Sequence, residues 1–120
     1  DAPPLLAAIG VLEAELARRP DPEELLLVGR REVRTNNSWM HNVPALVAGR
    51  ERCVLLVHPD DAARARVADG ELAVLQSRVH EGSVRVRLSD EMRPGVVSLP
   101  HGWGHASAAP WQRVAATQPG

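Results

Sequence analysis

The chain has neither Tyr nor Phe, and only three Trp. No phenol is therefore on hand to assist a reaction. Cysteine occurs once, as Cys53, which excludes an internal disulfide and fits a reducing cytoplasm. An excess of charge of one sign is also lacking: 14 basic residues stand against 15 acidic ones, for a net charge of −1. A general nucleic-acid binder should carry a basic face, so that class of partner is not expected. The longest apolar runs, "LLLV" and "CVLLV", are too short to cross a membrane, and no membrane partner is expected. No charged-then-apolar leader opens the sequence, so export is not expected and the cytoplasm is the expected location. No strand–Gly-x-Ser-x-Gly–helix elbow occurs, which leaves nucleophilic catalysis with little support.

What is present fits one globular domain. At 120 residues with 44% apolar content, the chain is long enough for one hydrophobic core. Leu5, Ile9, Leu12 and Leu16 recur at the spacing of one helix face, behind Pro3 and Pro4, which suit a helix entry. Pro20 and Pro22 forbid its continuation, so residues 1–22 read as a helix and linker and residues 23–120 as the domain. The four apolar residues should pack that helix against the domain's outside. Short apolar bursts follow: "LLLVG", "CVLLVH", "ELAVLQS", "SVRVRLS" and "GVVSLP". Val84, Val86 and Leu88 alternate with Arg85, Arg87 and Ser89, the pattern of a half-buried strand. "ADGE" and "HEGS" read as tight turns. Pro59, Asp60 and Asp61 open a short helix between strands, with carboxylates at its positive end. The pattern is mainly β, and a small barrel would remove the sheet edges.

Between the first two strands lies "RTNNSWMHN", Arg34 to Asn42, dense in amides and without a period of 2 or 3.6. It follows Gly29, Arg30 and Arg31. Glycine lets a ligand approach the backbone, and arginine offers a planar fork matched to phosphate. Asn36, Asn37, Ser38 and Asn42 both donate and accept, which suits a heterocycle edged with amide-like groups. The composition fits an anion or nucleotide loop, and equally a solvated connection. Among the five histidines, those of "HGWGH" have the i, i+4 spacing of a zinc pair, but Pro100, Gly102 and Gly104 argue against a helix there, so no metal site is expected. Cys53 reads as a small buried hydrophobe.

Three ordered blocks carry a resemblance: "LLLVGRREVRTNNSWMHN", "VHPDDAARARVADGELAVLQS" and "GSVRVRLSDEMRPGVVSLPHGWGH". Together, from about Leu25 to His105, they resemble the C-terminal molybdopterin dinucleotide-binding domain of the dimethyl sulfoxide reductase superfamily, in particular the formate dehydrogenase-like molybdenum oxidoreductases. The resemblance implies a six-stranded double-psi β-barrel (aspartate decarboxylase-like). It also implies a bis-molybdopterin guanine dinucleotide cofactor carrying molybdenum or tungsten, which the barrel covers. By that similarity Gly29 and Arg30 approach phosphate or pterin, and Arg34, Asn36, Asn37, Ser38, His41 and Asn42 add hydrogen bonds. The segments His58–Asp61 and His101–His105 are further candidates. They include His101, and Asp60 or Asp61 as a guanine partner, although helix capping is the competing role for both carboxylates.

The family's Asn-x-Leu-Thr-like segment is not found after the last loop, and the metal ligand of such enzymes lies on other domains. The chain, running from "DAPP" to "ATQPG", therefore reads as a piece of a larger oxidoreductase, inactive alone, whose partners are the remaining domains. The alternative from another class is a free-standing double-psi barrel enzyme of the aspartate decarboxylase type, which would be cleaved at Gly82-Ser83. A third reading, an interaction module using the Trp-bearing loops, has no positive support in the sequence.

Overall fold

A computed structural model describes residues 3–18, 21, 23–79 and 81–103, with the side chains of α1 described from Leu6 onward. The elements in order are α1 (Pro3–Ala17), β1 (Leu26–Arg30), α2 (Pro44–Val47), β2 (Val54–Val57), α3 (Pro59–Ala65), β3 (Leu72–Gln76), β4 (Glu81–Leu88) and β5 (Val96–Pro100). Each apolar burst of the sequence has thus become a strand. The short helix opens at Pro59 as its composition requires, but its cap is His58, whose Nδ1 accepts the N–H of Asp60 at 3.1 Å. It ends where Arg66 takes a left-handed conformation.

The strands form one mixed sheet in the order β1-β5-β2-β4-β3. β1 and β5 run parallel, as do β2 and β4, while β2–β5 and β3–β4 are antiparallel. This arrangement defines two rims. At the first, β1 and β5 end at Arg30 and Pro100, paired in register, and β2 begins at Val54. At the second, β2 ends and α3 starts, next to Gly95, where β5 is about to begin. Leu55, Val57, Ala62, Val84, Val86 and Val97 form the core, with Leu25, Val67, Ala73, Leu75, Leu88 and Leu99 packed against it. Val84 and Val86 face inward, whereas Arg85 is exposed, so the alternation in β4 marks the face as expected.

Several expectations are corrected. The described residues give five strands and a sheet that is not closed, because β1 and β3 each have a single neighbour. "HEGS" is not a turn: Gly82 and Ser83 already lie within β4, paired with Leu75 and Val74. The chain reverses one step earlier. α1 forms where expected but does not pack through its chosen face. Ile9, Leu12 and Leu16 are 50%, 62% and 86% exposed, and Leu5 lies outside the described side chains. The physical reason is visible in the sequence: Leu6 and Val11 are also apolar and exposed, so the helix has no single stripe to bury. α2, one turn entered at Pro44, carried no periodic signal.

Asp61 joins α3 to the sheet. Its side chain is almost fully buried, Oδ2 accepts the Gly95 N–H at 2.7 Å, and Oδ1 accepts from Arg64 Nη2 at 2.5 Å. Asp61→Ala should lower unfolding stability by about 2 kcal/mol, since it leaves the part-buried Gly95 N–H without its charged acceptor; denaturant unfolding would check this.

Cys53 is buried and free. Burial, reinforced by Glu51 and opposed by Arg30, pushes its thiol up to about 11 from 9.0. A native-state thiol reagent at pH 8 should therefore label it about a hundredfold more slowly than the unfolded chain, because only the thiolate reacts. The folded state keeps its proton longer than the unfolded one, so the thiol's contribution to stability is lost as pH rises from 9 to 11.

Candidate functional site

The polar segment after β1 folds as a series of turns. The Glu32 carbonyl accepts the N–H groups of Thr35 at 3.2 Å and Asn36 at 3.0 Å, and the Thr35 hydroxyl at 3.1 Å. Met40 N–H donates to Thr35 at 3.1 Å, His41 N–H to Ser38 at 3.1 Å, and Val43 N–H to Met40 at 3.0 Å. Asn36 and Asn37 take φ of 43° and 60°, a left-handed pair that asparagine tolerates better than most residues. The segment thus satisfies much of its backbone internally. Its side chains divide. Thr35 and His41 are fully buried, whereas Arg34, Asn36, Trp39 and Asn42 are exposed and Asn37 and Ser38 half-buried. The His41 ring lies 4.3 Å from that of Trp103, tilted by 44°.

The turn after β5 meets this segment on the same rim. His101 N–H donates to the Arg30 carbonyl at 3.0 Å, which carries the β1–β5 pairing one residue further. The His101 ring lies over Gly29, where any Cβ would collide with Nε2 and sit 2.9 Å from Cδ2. Gly102, with φ of 87°, presses its backbone on Asn37 and Ser38; a Cβ there would be 2.6 Å from the Asn37 carbonyl oxygen and the Ser38 nitrogen. Two glycines, one in each segment, therefore set the distance between the two loops. Trp103 Nε1, buried beside them, has no hydrogen-bond acceptor among the described residues.

The arginines have separate positions. Arg30 turns its fork inward, Nη1 donating to the Ser98 carbonyl at 2.6 Å and Nη2 to the Val54 carbonyl at 2.7 Å. Burial lowers its pKa from the ordinary value, partly offset by Glu32 and Cys53. Arg52, also buried, donates to the carbonyls of Val47 at 3.1 Å and Ala48 at 3.2 Å, closing the end of α2. Arg31 is exposed and donates to Asn37 Oδ1.

Of the residues singled out in the sequence, Gly29, Arg30, Arg34, Asn36, Asn37, Ser38, His41, Asn42 and His101 all lie at this first rim. Asp60 and Asp61 do not. They sit at the second rim with α3, where Asp61 is occupied by Gly95 and Arg64. Gly104 and His105, the end of the 101–105 segment, lie outside the described residues. A cleft of about 720 Å³ opens near Asp60 and Asp61, bordered by Arg18, Glu24, Arg64 and Arg93. One wall is made of the exposed ion pairs Arg18–Glu15 and Arg18–Glu24, which contribute little rigidity. Sequence reasoning missed Arg52 as part of the first rim, while Arg31 and Trp103 fell inside its candidate segments without being chosen as site residues. Gly102 was legible only as a helix breaker.

Gly29→Ala should displace His101 and cost about 1–3 kcal/mol as an overpacked contact. The ring-proton shifts of His101, followed by NMR beside thermal unfolding, would show both effects.

Residues 25–117 match the family described as the molydopterin dinucleotide binding domain. No curated protein matches the chain. The matched region takes in all five strands and both loops of the first rim, and it leaves α1 outside. A match over most of the chain, on a mainly β fold whose amide-rich loop is built into one rim, places it: the chain belongs to the molydopterin dinucleotide binding domain family, the cofactor-binding domain of molybdopterin oxidoreductases.

Proposed function

We propose that this domain covers a bis-molybdopterin guanine dinucleotide in a molybdenum or tungsten oxidoreductase of the formate dehydrogenase-like branch of the dimethyl sulfoxide reductase superfamily. The observation that carries the reading is the meeting of two loops at one rim, with Gly29 under His101 and Gly102 against Asn37. A dinucleotide needs convergent groups from more than one segment, held in place before it arrives. The donor set fits such a ligand. Asn36, Asn37, Ser38 and Asn42 present amides and a hydroxyl on exposed or half-exposed positions, able to match the mixed donor and acceptor edges of pterin and guanine. When bound, the metal and pterin supply the redox chemistry. The chain's own part is to orient the ligand and exclude water from it. Thr35 and His41, both buried, fix the loop from within.

The remaining domains of the parent enzyme are the partners this reading requires. Support comes from α1, apolar on all sides and exposed, which suits packing between domains with the division at residues 22 and 23. The lone buried thiol supports a cytoplasmic location, and among the described residues no helix is long and apolar enough to cross a membrane. The decarboxylase-like alternative is disfavoured by a specific observation: Gly82-Ser83 lies within the regular β3–β4 ladder, not in a turn that would expose the bond.

Titrating the chain with guanosine diphosphate, followed by amide NMR, tests the site. Weak binding, in the millimolar range, should shift Asn36, Asn37, Ser38 and His101 while leaving Asp60 and Asp61 unmoved. Shifts confined to the Asp60–Asp61 end, or none, would overturn the assignment of the first rim.

A further inference from the structure

Three arginines follow one another closely at the end of β1, and the structure gives them different work. Arg30 has the sequence position that favours phosphate, directly after Gly29. Yet both terminal nitrogens of its fork are committed, Nη1 to Ser98 of β5 and Nη2 to Val54 of β2. Nη2 also lies 3.5 Å from the Arg52 carbonyl. Reaching a ligand would strip carbonyls on two strands of their donor, and partly buried acceptors are costly to leave unmet. Arg31, one residue on, is exposed, and its guanidinium donates to Asn37 Oδ1. Asn37 is the residue whose backbone packs on Gly102, so Arg31 is anchored to the junction of the two loops. Arg34 is exposed at the tip of the turn that Glu32 closes, and it has no hydrogen bond or ion pair among the described residues.

The charge between these two points the other way. Glu32 is largely buried, and its carboxylate lies 3.8 Å from Arg52 Nε, which directs it away from neutralising the outer arginines. The outer face of the loop therefore presents two cations in a chain whose net charge is −1. Planar forks of this kind pair with phosphate through two parallel N–H donors.

We infer that Arg31, positioned by Asn37, and Arg34 beside it take the diphosphate of the ligand, while Arg30 is a structural cross-link. This division of labour rests on the reading of the first rim as the dinucleotide site and adds which side chains meet its anionic part.

Pyrophosphate, guanosine diphosphate and guanosine serve as probes on the whole chain, read by amide and arginine Nε NMR signals. In the unaltered chain, pyrophosphate should shift the Arg31 Nε signal and leave that of Arg30 in place. Arg31→Gln and Arg34→Gln should each weaken pyrophosphate and guanosine diphosphate binding by about tenfold, as loss of a charged donor does, with guanosine binding and Tm unchanged. Arg30→Lys, which keeps the charge but not the fork, should lower Tm and leave affinity within about twofold when measured well below Tm. A pyrophosphate shift at Arg30 Nε, or affinity lost in Arg30→Lys and kept in the other two variants, would overturn the inference while the site reading stands. Absence of pyrophosphate binding, with guanosine diphosphate still shifting Asn36 to Ser38, overturns the anion assignment alone. If guanosine diphosphate shifts nothing at the rim, the site reading itself fails.

Discussion

The guanidinium of Arg30 ties three strands together at the rim where the candidate site lies. Its backbone belongs to β1, and its fork reaches the carbonyl of Ser98 in β5 and that of Val54 in β2. β2 and β5 share only one paired position, Leu56 with Ser98, so the ladder alone holds this end weakly. A planar fork with several fixed donors suits the role better than an ammonium, because it satisfies carbonyls on two strands at once. The entry of the loop at Glu32 and the emergence of His101 both depend on that end of the sheet keeping its shape.

Polar density in the loop has two sources. Part of it builds the loop: Thr35 bonds back to Glu32, and His41 is buried against Trp103. The remainder faces outward on Asn36, Asn37, Ser38 and Arg34. A loop that already satisfies its own backbone loses little further entropy on meeting a ligand, which is the physical advantage of such a platform. The left-handed pair at Asn36 and Asn37 fits this account, since an unfavourable backbone conformation persists only where its surroundings fix it.

The opposite rim is built differently. There α3 is pinned by Asp61 to Gly95 and capped by His58, so the Asp61 carboxylate serves the fold, whereas that of Asp60 is exposed. α1 borders the cleft at this second rim through Glu15, but its apolar residues surround it and none of its described large side chains is buried. Its composition demands a covering surface.

The sequence by itself determined the strands and their faces. Apolar bursts divided by turn residues set β1 to β5 within a residue or two, and the alternation at Val84, Val86 and Leu88 set which side of β4 is buried. Pro59 with Asp60 and Asp61 set the start of α3. All these are local signals, written in neighbouring residues. It also marked the first loop and the turn at His101 as chemically unusual, and the resemblance carried by three ordered blocks named the family that the comparison supports. Only the tertiary structure decided what each polar residue does. Arg30 and Arg31 are identical in type and adjacent, yet one is turned inward to carbonyls 24 and 68 positions away and the other outward to Asn37. Asp61 and His41 are buried by segments remote in the chain. Which rim receives a loop is fixed by the direction of the strand before it, so His101 comes to Gly29 and Asp60 does not. Those partners are set by strand order and register, which depend on contacts between distant parts of the chain and leave no periodic trace in it.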